Sequence, residues 1–412
     1  MEVSEKINPN FEKKTSNALK ADRTVHRVTF NPNKASPGET LRIPVPKLHE
    51  GTVLVPDSLA LIFDLGVSGH ANNFLVKNVS RALVSRLKIK FAGEILVDTD
   101  GWDLFKLWED LFLTKHEREN MLMEGIQSEA LSKIRSNAGD KPTSSVANEN
   151  KLNDIFKNKY RIRLDHEILK DHGVFYPRAL SDELVFELTL APASGVVKGS
   201  DATKLGYELT NIQLEYEVIQ SKTLSDEVNS NLLNGDRFMF EHVTHHKTIT
   251  ISKGTDTIIN ESINVPRRSM KGILLLFFEP YTAGARDSEK TFNPDITEVK
   301  VDVNGVPNKI FSQGMKTRDM FDEAFRRFGK ENSLMNATEF FAEDKFGLFI
   351  DLRSMKDNDL HGSGMRLVNT KDGVYLSMKR TASGSGNVKC HIFILADAQF
   401  SILNKELESV AY

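Results

Sequence analysis

Apolar and polar residues alternate at period two in many short segments of this chain, the pattern of half-buried strands. Residues 40–46 read TLRIPVP and residues 59–65 read LALIFDL. Residues 184–190 (LVFELTL) set Leu184, Phe186, Leu188 and Leu190 on one face, and residues 212–218 (IQLEYEV) alternate the same way. One face of such a strand meets a core and the other meets water, as in antiparallel sheets. Beyond residue 236 the style resumes with 247–251 (KTITI), 299–303 (VKVDV), 346–352, 373–378 and 389–395. Residues 272–278 are continuously apolar, which predicts a central strand. Tight turns are predicted at Ala92-Gly93, between 87–91 and 94–97, and at Asn304-Gly305, after 299–303.

Helical spacing is confined to a few segments. Residues 102–113 (WDLFKLWEDLFL) bring Trp102, Phe105, Leu107, Trp108 and Phe112 toward one face, with Asp100 the expected N-cap. Residues 317–328 (TRDMFDEAFRRF) do the same with Met320, Phe321, Ala324, Phe325 and Phe328, capped by Thr317. Residues 222–233 predict a third helix between the two halves. Residues 132–158, rich in Ser, Asn, Asp and Lys, predict a long loop.

The two halves read as versions of one unit. The first has Val55-Pro56, Ser58 and the strand LALIFDL; the second, about 210 residues on, has Val265-Pro266, Ser269 and GILLLFFEP. A polar loop containing glycine follows in each (66–73 and 281–294). Then come a tight hairpin (LKIKFAGEIL and VKVDVNGVPNKIF), an aromatic-rich helix and closing strands. That period is far too long for a solenoid or a propeller blade and predicts two whole domains of sandwich or jelly-roll type. The expected division is an N-terminal arm over 1–36, a first domain over 37–221, a linker over 222–236 and a second domain over 237–412.

Composition narrows the function classes. A length of 412 residues suits two or three domains. The 40% apolar and 27% charged residues are ordinary for a folded chain. A net charge of −3 provides no whole-chain basic field for nucleic acid or anionic membrane. The single cysteine, Cys390, excludes an intrachain disulfide and a four-cysteine zinc site, and reads as a small buried hydrophobe. Residues 1–20 are polar and lack an apolar h-region, so no signal peptide is expected, and the run 272–278 is too short to span a bilayer. These features predict folding in a reducing, intracellular compartment.

Sequence signatures of catalysis are missing: no phosphate-binding glycine loop, no dinucleotide fingerprint and no H-E-x-x-H. His242, His245 and His246 form the densest histidine cluster. In a plain strand His242 and His246 share a face, but no cysteine or carboxylate completes a ligand set, so the cluster reads as a polar strand end. His361-Gly362-Ser363-Gly364 is not a nucleophile elbow and reads as a glycine loop, as do residues 382–387 (ASGSGN). Arg267-Arg268 and Arg326-Arg327 read as solvated charge. The chain is therefore expected to be no enzyme, with no catalytic, cofactor-binding or metal-ligating residue assigned and no cofactor. Two other classes stay open. One is a β-sandwich carbohydrate- or receptor-binding protein, with Tyr281 and Tyr375 as candidate aromatic platforms. The other is a β-sandwich hydrolase with an acidic dyad.

The order of buried strand, polar loop, glycine-turn hairpin, aromatic helix and closing strand resembles the double jelly-roll major capsid proteins. Segment 243–311, through HHKTITISKGTDTIINESINVPRRSMKGILLLFFEP to ITEVKVDVNGVPNKIF, is similar to the second jelly roll of capsid proteins from Polinton/Maverick transposons and adintovirus-like elements. Residues 346–352 (FGLFIDL) through 390–395 resemble that family's final strands. The resemblance spans about residues 40–405 and is carried mainly by the second half. It implies an all-β chain of two tandem eight-stranded antiparallel jelly rolls with a few short inserted helices. It further implies a homotrimeric, pseudo-hexameric capsomer in an icosahedral shell around a double-stranded DNA genome. The implied location is the virion, with synthesis in the host cytoplasm and assembly there or in the nucleus. Implied partners are further copies of the chain, a single jelly-roll penton protein, other minor capsid proteins and weakly contacted packaged DNA. No membrane span is implied. The chain is short for this class, so elaborate surface towers are not expected.

Overall fold

In the first half, two four-stranded antiparallel sheets face each other. One runs in the order Asp22–Thr29, Gly206–Gln220, Thr52–Ser68, Lys159–Arg163; the other runs Thr40–Pro44, Leu184–Leu190, Val84–Phe91, Glu94–Asp100. Counted along the chain, these strands lie in the orders 1-8-3-6 and 2-7-4-5. In the second half one sheet runs Asp236–Ser252, Asn387–Leu403, Arg267–Phe278, Gly347–Asp351. Its partner runs Ile258–Ile263, Val374–Arg380, Ile296–Val303, Val306–Pro307. The orders are again 1-8-3-6 and 2-7-4-5. Short strands at Lys34–Ala35, Met315–Lys316, Met365–Leu367 and Glu406–Ala411 extend these sheets. The fold is therefore all-β, two eight-stranded antiparallel jelly rolls in tandem, with open sheets rather than closed barrels. The computed structural model describes residues 22–136, 147–170, 174–304, 306–307, 313–356, 361–369 and 373–412.

Local sequence explains the strands. Leu184–Leu190 buries Leu184, Phe186, Leu188 and Leu190, as period-two patterning requires. The run inside Arg267–Phe278 is central, paired on both sides, and Ile273 through Phe277 are all fully buried. Ala92 and Gly93 both adopt positive φ (51° and 82°), the geometry a two-residue hairpin needs to match strand twist.

Several expectations need correction. The helix begins at Trp102 and its cap is Gly101 (φ 65°), not Asp100. Asp100 is still in register with Arg86, so the chain turns one residue later, where glycine tolerates the conformation. The second aromatic helix, Thr317–Phe328, is preceded by Lys316 as cap, whose backbone N–H donates to Asp319 Oδ2; Thr317 Oγ1 instead donates to Ile296 O. Of the predicted loop 132–158, the first residues belong to the helix Glu129–Ser136 and the later ones to the helix Ala147–Phe156, while residues 137–146 lie outside the described residues. Their polar composition misled because Ser132 and Ser136 bond the backbone of Leu75 while Leu131 and Ile134 are buried. Within the segment expected as an arm, Asp22–Thr29 pairs as an edge strand on Gly206–Gln220; residues 1–21 and Gly305 of the second predicted turn lie outside the described residues.

The two cores are not confined to their own halves. Phe238, Phe240, Ala398, Phe400 and Ile402, from the ends of the two 17-residue strands of the second half, belong to the first core. Phe105 and Trp108, from the helix of the first half, and Leu111 and Phe112, from the turn Asp110–Phe112 that follows it, belong to the second. The segment between the halves is the helix Lys222–Asn234, with Leu224 and Leu232 buried in the first core.

Candidate functional site: the seam between the two units

The chemistry-bearing side chains collect where the jelly rolls meet. The helix Trp102–Glu109 leaves the first unit and places Trp108 edge-on to Phe112 and Phe328, at centroid distances of 5.0 Å each, with its Nε1–H donating to Lys345 O at 3.1 Å. Around it, ion pairs cross the seam. Arg286 Nη2 meets Asp103 Oδ2 at 2.8 Å, and Arg118 meets Glu289. Arg286 also donates to Gly195 O. Buried ions need such partners, because each unpaired charge costs several kcal/mol. Burial alone pushes the Asp103 carboxyl up, with Arg286 opposing that shift.

A second network runs through the sheet of the second unit. Arg327, on the aromatic helix, meets Glu241 at 2.5 Å; Lys271 lies 3.5 Å from Glu241 and 2.9 Å from Asp397. Asp397 also accepts from Ser269 Oγ (2.5 Å) and the Gly362 N–H (2.8 Å), and lies 3.0 Å from His361 Nδ1. Burial would raise the carboxyl of Asp397, but His361, Lys271 and Ser269 hold it well below the usual carboxylate range. Glu241 is likewise lowered against its burial by Arg327 and Lys271, and Lys271 is raised against its burial by both acids. Two cations and two anions thus neutralise each other. The Glu241 N–H donates to Glu167 of the first unit, tying the network to the seam.

This cluster holds Ser269, His361 and Asp397, but not in catalytic order. In a nucleophilic triad the imidazole stands between hydroxyl and carboxylate. Here the carboxylate stands between serine and histidine, and Ser269 Oγ also accepts the Gly364 N–H at 3.0 Å. The glycine loop at 361–364 therefore caps a buried acid.

The other flagged residues are dispersed. His242 is buried beside Tyr412 and Phe240. A bulge between His245 and Lys247 breaks the strand's alternation, so the expected His242–His246 face does not form; His245 instead meets His391, 3.4 Å away. Among the described residues no three His, Cys, Asp or Glu side chains cluster as a metal-binding group. Cys390 is buried, and its thiol is pushed up by that burial. Arg327 is structural, Arg326 pairs with Glu323, and Arg267 stacks on Tyr412, leaving Arg268 exposed. Tyr375 is 46% exposed on a strand; Tyr281 is 49% exposed in a cleft of about 730 Å³ at the seam, beside Arg286, Lys389 and His391. Sequence reasoning missed the seam pairs, whose partners lie 171 and 183 residues apart. Lys271, directly before an apolar run, and Asp351, inside the apolar segment 346–352, were signals of buried charge.

No family model and no curated protein sequence matches the chain. Solved structures do. The PBCV-1 virus capsid aligns with TM-score 0.61 at 10% identity, over 97% of this chain and 99% of that one. The Faustovirus major capsid protein aligns with TM-score 0.61 at 9% identity, over 95% and 92%. The mavirus major capsid protein aligns with TM-score 0.52 at 11% identity, over 92% and 88%. Identities this low carry the fold and nothing finer: the chain has the double jelly-roll fold shared by these capsid proteins.

Proposed function

We propose that this chain is a non-enzymatic major capsid protein that forms homotrimeric, pseudo-hexameric capsomers of an icosahedral shell around double-stranded DNA. The observation that carries this reading is the duplicated strand order, 1-8-3-6 over 2-7-4-5, in a chain that aligns almost end to end with the PBCV-1 capsid protein. Two jelly rolls locked by a shared helix and cross-seam ion pairs make a rigid two-lobed block. Three such blocks in a closed ring present six similar lobes, which tile a hexagonal lattice. The edge strand Asp22–Thr29 leaves Val25 and Val28 exposed (55% and 49%), apolar surface suited to a subunit contact. The Polinton/Maverick and adintovirus-like subgroup rests on segment 243–311. The virion location, a penton and minor capsid proteins as partners, and weak DNA contact follow from the capsid reading. So does the division into two jelly rolls joined at residues 222–236.

The test is solution mass by light scattering after size exclusion, with negative-stain imaging of the same peak. A species near three times 46.4 kDa with six-lobed outlines is expected. A monomer that never assembles across salt and pH overturns the proposal. Glycan binding would then be assayed at the cleft containing Tyr281.

A further inference from the structure

Three donor atoms meet where the strands Asp236–Ser252 and Asn387–Leu403 lie side by side. His245 Nε2 is 3.4 Å from His391 Nδ1, and Thr248 Oγ1 is 3.2 Å from each. The bulge builds this triangle. His245 and Thr248 are three apart, so strict alternation would put them on opposite faces; one extra residue, His246, brings both to the face that carries His391, the residue directly opposite Thr248.

The triangle has the size of one face of a tetrahedral metal centre. Ligands at about 2.0–2.1 Å from a tetrahedral zinc ion lie about 3.3 Å from one another. Two imidazoles whose lone pairs point at such an ion have centroids about 5.2 Å apart; here they are 5.4 Å apart with planes 38° from parallel. The rings are held in place by neighbours: His245 packs on Phe393 at 5.2 Å and His391 on Phe278 at 5.7 Å. His391 also lines the 730 Å³ cleft at the seam.

We propose that His245, His391 and Thr248 bind one divalent ion of tetrahedral preference, Zn²⁺ foremost. The ion is held by the two imidazole nitrogens, with the threonine hydroxyl and a cleft water completing the tetrahedron. Such an ion clips the two longest strands of the second unit at the seam and stabilises the folded chain by mass action.

The experiment titrates the metal-free full chain, without a histidine tag, with Zn²⁺ by calorimetry and with Co²⁺ by visible absorption. One site per chain with micromolar affinity is expected, together with the intense visible bands of tetrahedral Co²⁺. His391→Asn weakens binding at least tenfold. His245→Gln, on the other strand, does the same and stands in if the first variant fails to fold. Thr248→Val gives a smaller loss, and His70→Asn, on an exposed turn, changes nothing. The proposal is overturned if no saturable site appears up to millimolar Zn²⁺, if the Co²⁺ spectrum is that of an octahedral ion, or if H245Q and H391N bind as tightly as the parent.

Discussion

The indole of Trp108 lies so close to the backbone of Gly347 that a Cβ at 347 would sit 2.5 Å from the ring. Trp108 belongs to the first half of the sequence and Gly347 opens the strand Gly347–Asp351 of the second, so this contact joins the halves. Trp108→Ala removes a fully buried indole and is expected to cost about 3–5 kcal/mol. Gly347→Ala forces overpacking and costs about 1–3 kcal/mol. Denaturant titration measures both, and the double variant should cost less than their sum, because truncating the ring makes room for the methyl. Strict additivity would contradict the contact.

Lys271 is the cation shared by Glu241 and Asp397. Lys271→Met keeps the volume but strands an acid in a buried sheet, at an expected cost of about 3–5 kcal/mol. Adding Asp397→Asn should recover part of that loss. Equal stability of Lys271→Met and the parent in urea unfolding would show that the network contributes little.

Acid should destabilise the chain in two stages. Burial lowers the pKa of His242 and His391 from 6.5 to about 4, so the folded chain keeps both rings neutral where the unfolded chain protonates them. The unfolded state then binds more protons, and stability falls as pH drops from about 6.5 to about 4. Asp397, whose folded value is depressed, contributes stability above its ordinary value that is lost at still lower pH. Melting temperature followed from pH 7 to pH 4 checks the first stage, and His242→Asn should flatten it. A melting temperature constant over that range rules the account out.

Because each core contains side chains of the other half, the two jelly rolls should unfold together. Calorimetry of the full chain is expected to give one transition with matching calorimetric and van't Hoff enthalpies. Phe105→Ala, which removes a ring packed on Phe393 across the seam, should lower that single transition rather than split it. Two resolved transitions in the parent would mean independent domains.

The strands, the hairpin at Ala92-Gly93, both aromatic helices and the duplication were legible because each is a local pattern: alternation, turn residues, helical spacing. Those patterns also required layered β domains, since apolar faces at period two must be buried against a second sheet; the eight-stranded jelly roll came from the resemblance to the double jelly-roll capsid proteins. Three things depended on residues far apart in the chain. The helix 102–113 was visible, but not that Trp108 would seat on Gly347 in the other half. Lys271 was visible as a charge before an apolar run, but its acids, Glu241 and Asp397, come from two other strands. Alternation predicted that His242 and His246 share a face; one bulge shifted the phase and paired His245 with His391 instead. Side-chain periodicity is set by local backbone geometry, whereas register, seam contacts and buried ion pairs are set by which distant segments pack together.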